Sequence, residues 1–458
     1  MQRRNFLISG AAFLAACTSP SKGGANGAGG GASPSAEVSG ASLPRGEYRD
    51  FEFSADVRAR GGAKGWICFH SDENLGRGYR VAINNDTRGP GWWRMTGSLL
   101  GVRNVVKDFA RDGEWFSLKI RVDGALVEVF ANGVKAVEYI EPEKPYRTPE
   151  NSGMILSSGR IGLKVESGEI DLKNASVRPL APRADTANQR ACAIDEGTDA
   201  AIRLHQRDFP VLDYHVHLKG GLTPDWALAR SRKLGINYAI APNCGRDFQI
   251  NRPEMAEDFL KEARSWPFLI CMQAEGREWH RIFPESVRDK FDFVFTDAMT
   301  FDDPAGRRTH VWKPEEVVCP RGSEDAYMEH IANTVCSVVA EPSDVYANPL
   351  WLPGILAADY EKYWTAPRKQ RVLEALVRAG KPMEINTALP IPDMEFIEMA
   401  HARGVKFTFG TNNINPEFSP FGVEAVEPGF GKFGKVLDIV NRLSLSPSDL
   451  YAPRRRRA

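Results

Sequence analysis

The residues best suited to chemistry lie together in Asp213-Tyr214-His215-Val216-His217. Side chains two apart on an extended strand share a face, and imidazole is the commonest protein ligand for divalent metals. His215 and His217 can therefore clamp one ion, although two half-exposed loop histidines would show the same spacing. Later apolar runs also end in polar residues: Asn243 and Arg246; Gln273, Glu275 and His280; Thr296 and Asp297; Asn348; Glu384 and Asn386; then Thr411, Asn412 and Asn413. Carboxylates and imidazoles are the side chains that move protons, which makes His280, Glu384 and Asp297 candidates for catalysis. Asn243, Arg246, Asn348, Asn386 and Asn412 are candidates for holding a polar substrate. Each has a plainer role available: Glu384 in an internal ion pair, His280 on a helix surface, Asp297 as a support for a histidine or a helix cap.

The elements that must position these residues follow from periodicity. Apolar runs at 211–214, 236–241, 268–272, 291–296, 344–347, 381–385 and 405–409 alternate with amphipathic stretches at 223–234, 253–264, 324–340, 368–379 and 393–402. This alternation predicts parallel βα units closing into a seven-stranded barrel over residues 209–450, whose active face lies at the C-terminal strand ends. A long insertion between the fourth and fifth strands carries Arg307, Arg308 and His310, in the manner of a lid. Residues 451–458 read as a solvated basic tail.

Residues 46–180 have a different period. Phe51, Phe53, Ala55 and Val57 alternate, as do Phe116, Leu118, Ile120 and Val122, and Asn132-Gly133 marks a hairpin. Repeated short strands predict an antiparallel β-sandwich, followed by a linker at 181–208. Within it Trp92 and Trp93 have flat apolar faces that could stack on sugar rings or pack in a core.

The chain starts with Arg3-Arg4 and an apolar run ending in Leu14-Ala15-Ala16-Cys17, an arrangement that reads as an export signal over residues 1–17. Leu-Ala-Ala-Cys resembles a bacterial lipobox and Arg-Arg-Asn-Phe-Leu a twin-arginine signal. The resemblance implies lipidation of Cys17 and a membrane-anchored lipoprotein, periplasmic or at the cell surface. Residues 18–45 are rich in Gly, Ala, Ser and Pro, as in a flexible tether. The 59 basic residues balance 59 acidic ones, which removes the electrostatic reason to expect a nucleic-acid partner. The six remaining cysteines lack CxxC spacing and read mostly as small buried residues rather than a disulfide framework or a zinc knuckle, although an exported protein could form one bridge.

Two family resemblances bear on function. Tyr48-Arg49-Asp50-Phe51-Glu52-Phe53, Gly78-Tyr79-Arg80-Val81, Gly113-Glu114-Trp115-Phe116 and Gly162-Leu163-Lys164-Val165 resemble the concanavalin-like domain of the 3-keto-disaccharide hydrolase type. That family commonly carries a carboxylate where this chain has Arg80. His215-Val216-His217, the Glu275 strand end and Gly410-Thr411-Asn412-Asn413 resemble the polymerase and histidinol phosphatase (PHP) superfamily, a distorted seven-stranded barrel binding several metals. Here Asn348-Pro349 replaces the usual His-Pro, and Asn412 and Ile414 replace the usual Asp and His. The resemblance then implies one divalent ion per chain, zinc, manganese or similar, rather than three. His215, His217 and Glu275 would hold it, with Glu384 or His280 completing the shell.

Together these features predict an exported, metal-dependent hydrolase or lyase acting on carbohydrate, with 3-keto-glycosides cleaved by elimination and hydration as the leading chemistry. A phosphoesterase with a sugar-binding sandwich, and a non-catalytic glycan-binding lipoprotein, are the alternatives.

Overall fold

The computed structural model describes residues 37–40, 43, 45–218, 222–413 and 433–454. Cys17, the export signal, most of the Gly/Ala/Ser tether and Arg455–Arg457 of the basic tail lie outside the described residues. Among those described, no helix is long and apolar enough to cross a membrane.

The N-terminal half is one continuous sheet curled over itself. It contains β1 (Glu37–Gly40), β2 (Phe51–Ser71), β3 (Tyr79–Asn84), β4 (Trp115–Asp123), β5 (Leu126–Ala131), β6 (Val134–Ile140) and β7 (Arg160–Pro179), ordered β1-β7-β2-β4-β5-β6 with β3 also against β2. The first half of β2 pairs with β4 and its second half with β3, so this strand passes from one layer to the other. Gly61 and Gly62 make the corner at φ +67° and +68°. Opposite them Gly168 also has positive φ, and a Cβ there would sit 2.7 Å from Ala63 Cα. Apolar side chains alternate inward: Phe51, Phe53, Val57, Val81, Ile83, Leu118, Ile120 and Val129 are all buried in one core. Asn132 and Gly133, both at positive φ, turn β5 into β6 as the hairpin signal requires.

The C-terminal half alternates strand and helix. Its strands are β8 (Leu212–Val216), β9 (Asn237–Ile240), β10 (Asn243–Cys244), β11 (Leu269–Ala274), β12 (Phe293–Thr296), β13 (Thr300–Asp302), β14 (Arg308–His310), β15 (Val345–Tyr346), β16 (Met383–Asn386) and β17 (Phe407–Gly410). The order β17-β16-β15-β12-β11-β9-β8 is parallel throughout, with β10 also against β11. β13 and β14 form a separate hairpin above β12, where a lid-like insertion was expected. Side chains bridge the seam between β8 and β17, making a nearly closed barrel. Asp213 accepts hydrogen bonds from the Thr411 amide at 3.0 Å and hydroxyl at 2.6 Å, and Asn413 Oδ1 accepts one from the His217 amide at 2.7 Å.

The two halves meet through the sandwich segment after β3. Leu212, Ala239, Leu269, Phe293 and Val345, from the strand beginnings, form one apolar cluster with Trp92, Trp93, Val106 and Tyr451. Asn237, the first residue of β9, donates to Asn104 O at 2.8 Å and accepts from the Val106 amide at 3.1 Å. The N-terminal mouth of the barrel is thus plugged by the sandwich. This corrects the sugar-stacking expectation for the tryptophans. Trp92 is 4% and Trp93 8% exposed, their rings meet edge to face at 5.8 Å, and Arg94 lies over Trp93. Trp93 Nε1 donates to Asp208 at 3.0 Å, so neither ring offers a free face.

Candidate functional site

The polar residues anticipated at the strand ends converge at the opposite mouth. His215 and His217 end β8, Gln273 and Glu275 end β11, Asp297 follows β12, Asn348 follows β15, Glu384 and Asn386 lie on β16, and Asn412 follows β17. All are at most 9% exposed. Buried polar groups need partners, and here they partner one another.

The histidine pair can be assigned tautomers from its neighbours. His217 Nδ1 lies 2.6 Å from the carbonyl of Ala241, a pure acceptor, and so carries the hydrogen. His215 Nδ1 faces Glu384 Oε1 at 2.7 Å and donates to that carboxylate, whose other oxygen accepts from the Asn348 amide at 2.7 Å. Gly410 makes this approach possible, because a Cβ there would fall 2.0 Å from Glu384 Oε1 and 2.7 Å from His215 Cβ. Both Nε2 atoms then present lone pairs, and they face each other at 3.0 Å. Gln273 Oε1 lies 3.0 Å from His215 Nε2, and its orientation is fixed because Gln273 Nε2 donates to Glu275 at 3.0 Å and Asp297 at 3.1 Å. Three lone pairs therefore point into one small volume. Such an arrangement needs a proton on one ring or a cation among the three atoms.

The donors fit a cation in part. A tetrahedral zinc with bonds of about 2.0–2.1 Å to nitrogen holds its ligands roughly 3.3 Å apart, near the separation of the two Nε2 atoms. A carboxylate or carbonyl behind each Nδ1 is the usual outer support of a metal-bound histidine. Glu275, however, turns away: it accepts from Asn243 at 3.0 Å, from Gln273, and from Thr300 at 3.4 Å. Among the described residues no three His, Cys, Asp or Glu side chains form a metal-binding group. The expected ligand set of His215, His217 and Glu275 is therefore not assembled, because Gln273, two residues before Glu275 on the same strand, occupies the place beside the histidines. Its amide oxygen lies 3.0 Å from His215 Nε2. Glu384 stands behind His215 rather than beside the open side of the pair.

Behind Gln273 lies a carboxylate pair. Burial, reinforced by the neighbouring charge of Asp297, pushes the Glu275 carboxyl well above its ordinary value. Burial likewise raises Asp297, against the Asn348 amide that donates to it at 2.8 Å. Asn412 extends this chain by donating to Asn348 Oδ1 at 3.1 Å. Asn348 and Asn412 have φ of 45° and 50°, left-handed conformations that asparagine tolerates better than most side chains. Asn386 Oδ1 accepts from two loop amides, while its buried Nδ2 has no partner among the described residues.

Two anticipated residues lie elsewhere. His280 sits on the short helix Trp279–Ile282, edge-on to Trp279 at 5.6 Å, and takes no part in the histidine–carboxylate network. Burial and the charges of Arg281, Arg288 and Arg277 lower its pKa. Its helix turns it toward this arginine-rich layer, so the base or ligand role expected of it is not what the structure places there. Arg246 is exposed near Asp247 and Glu278, at the rim. His310 packs against Phe248 and Trp312 and is paired with Glu316 at 2.5 Å. Asp213, Gln273, Thr300 and Asn413 are the participants the sequence did not single out by role. The i, i+2 spacing of Gln273 and Glu275 was the available signal.

Residues 23–178 match the family model of the 3-keto-alpha-glucoside-1,2-lyase-like domain, about a third of the chain. No curated protein matches. Among solved structures, a Parabacteroides distasonis protein assigned as a glycosyl hydrolase is 22% identical over 30% of this chain and 80% of its own, with a TM-score of 0.25. The carbohydrate-binding module CBM66 from Bacillus subtilis is 14% identical over 30% of this chain and 78% of its own, at 0.22. A Listeria monocytogenes protein assigned as a histidinol phosphatase is 11% identical over 44% of this chain and 94% of its own, at 0.33. The domain match fits a carbohydrate-acting enzyme.

Proposed function

We propose that the chain is an exported hydrolase or lyase that cleaves glycosides, 3-keto-glycosides in the first place, at the buried cluster of its barrel. The carrying observation is the convergence of His215 Nε2, His217 Nε2 and Gln273 Oε1, each oriented from behind by a hydrogen bond. The domain match supports the substrate class. The twin-arginine and Leu14-Ala15-Ala16-Cys17 motifs support export and lipid attachment at Cys17.

His215 and His217, with the Gln273 oxygen, would hold one divalent ion. When bound, such an ion supplies Lewis-acid polarisation of a substrate oxygen. The remaining work falls to the chain's own groups. Glu384 fixes the His215 ring. Glu275 and Asp297, both shifted upward, retain a proton further toward neutral pH than ordinary carboxyls and can pass it to or from a substrate carbon or a leaving oxygen. Asn243, Asn348, Asn386 and Asn412 offer amides for hydroxyl groups. The sandwich holds a closed polar network, in which Arg147 donates to Tyr79, Tyr139 and Glu196 at 2.8–2.9 Å; these three residues are buried and the Arg147 side chain is 4% exposed. With this network closed and Trp92 and Trp93 packed against the barrel, the sandwich is assigned a supporting role.

The test is elemental analysis of the full chain purified without chelator, alongside the His215→Ala/His217→Ala double variant, with both assayed on 3-keto-glycosides. The wild type is expected to carry roughly one divalent ion per chain and to cleave, and the variant to do neither. Undiminished cleavage by a metal-free double variant would overturn the reading.

A further inference from the structure

On the same rim as the cluster, the segment after β16, the helix Tyr360–Tyr363 and the helix Gly434–Leu443 line an open pocket of about 590 Å³. This is within the usual range for a small-molecule site. Its wall is apolar, built from Pro390, Pro392, Met394, Ile397, Ile439 and the ring of Tyr360. Lys435 supplies the cation. Its Nζ donates to the Asn386 carbonyl at 2.9 Å and the Leu389 carbonyl at 2.5 Å, which ties the pocket to the strand carrying Glu384.

Among the described residues the charges around the pocket are paired, except Lys435 and Asp438. Lys369 takes Asp393 at 3.1 Å and Glu395 at 2.8 Å, and reaches Glu361 at 3.5 Å; Arg442 takes Glu398 at 2.6 Å. Asp438 is exposed one helical turn beyond Lys435 and is not ion-paired with it. Among the described residues Lys435 thus has carbonyl partners and no carboxylate. Burial alone lowers its pKa to about 8, the mark of an ammonium lacking a counter-charge. An ammonium has three donors, and two are used. The third is available to an acceptor oxygen on a flat apolar body lying against the prolines and Tyr360.

We infer that this pocket is the aglycone subsite of the enzyme and takes phenolic groups, with Lys435 hydrogen-bonded to the phenolic oxygen. The inference rests on the glycoside reading for its meaning, but its test does not require turnover. The full chain is titrated with 4-nitrophenol, following heat and the visible absorbance of the phenolate. One saturable site is expected, with the phenolate fraction raised on binding. Lys435→Met should weaken binding at least tenfold and remove the absorbance change. Met394→Glu, which sets a carboxylate in the apolar wall, should weaken it as well, and serves if the lysine variant does not fold. Binding should persist in the His215→Ala/His217→Ala variant. Absence of saturable binding, or equal affinity in the wild type and both pocket variants, overturns the inference even if 3-keto-glycosides are cleaved. Binding as expected, in a protein that cleaves none of them, upholds the pocket and removes the proposed reaction.

Discussion

Replacing Trp92 with alanine tests whether the sandwich is structurally part of the barrel. The side chain is 4% exposed and packs with Leu212, Ala239, Leu269, Phe293 and Val345 at the strand beginnings. Deleting a buried tryptophan costs about 3–5 kcal/mol, since the apolar contact is lost and five strand ends held in a barrel cannot collapse into the void. Trp93→Ala removes, in addition, the bond from Nε1 to Asp208, worth about 1 kcal/mol. Trp93→Phe should cost far less than Trp93→Ala, because the ring body stays. The assay is urea unfolding of the full chain, followed by far-UV circular dichroism. The Trp92→Ala midpoint should fall with little change in slope, and strand and helix signals should still be lost together. A loss below about 1 kcal/mol, or a wild type whose sandwich and barrel unfold in separate transitions, would refute the plug. A stable Trp92→Ala protein with impaired saccharide binding would restore the sugar-stacking role.

Two further outcomes are expected. His205, fully buried with Nε2 2.7 Å from Gly235 O, has its pKa lowered to about 3 by burial. The unfolded chain takes up this proton first, so the stability from neutral His205 is present above about pH 6.5 and declines as pH falls toward 3, by about 1.4 kcal/mol per unit. His205→Phe should flatten that part of the stability profile, and parallel profiles for the two proteins would dismiss the assignment. Gln273→Glu sets a carboxylate beside the histidine pair and against Glu275 and Asp297. It should lower the Tm of the chelated protein and raise affinity for zinc at least tenfold in a chromophoric-chelator competition. Unchanged affinity would mean that the Gln273 oxygen does not face the ion position.

Much of the architecture was legible because periodicity is a backbone property. The seven barrel strands fall on the predicted runs, as do five of the helices, whereas the short helices after β11 and Gly434–Leu443 after β17 were not predicted; Asn132-Gly133 turns where two positive φ angles are needed. The strand-end polar set was also legible, since a parallel barrel gathers its C-terminal ends. What could not be read was which neighbour each side chain meets. His215 and Glu384 are 169 residues apart, and their contact depends on Gly410, a third strand's missing Cβ. Glu275 looked like a ligand because carboxylates usually are; the amide two residues earlier took that position. Trp92 and Trp93 carry nothing in their own segment to distinguish a sugar platform from a plug for a barrel beginning more than a hundred residues later.

That plug also bears on the order of assembly in time. The sandwich is synthesised first and has its own core, so Trp92 and Trp93 can be in place before Leu212 emerges. The barrel strands would then close around a ready apolar template, and their lower ring of Leu212, Ala239, Leu269, Phe293 and Val345 would be covered as it forms. A circular permutation that makes the barrel first would reverse this sequence. The newborn barrel would carry an open greasy end until its partner arrived, and aggregation would compete with closure.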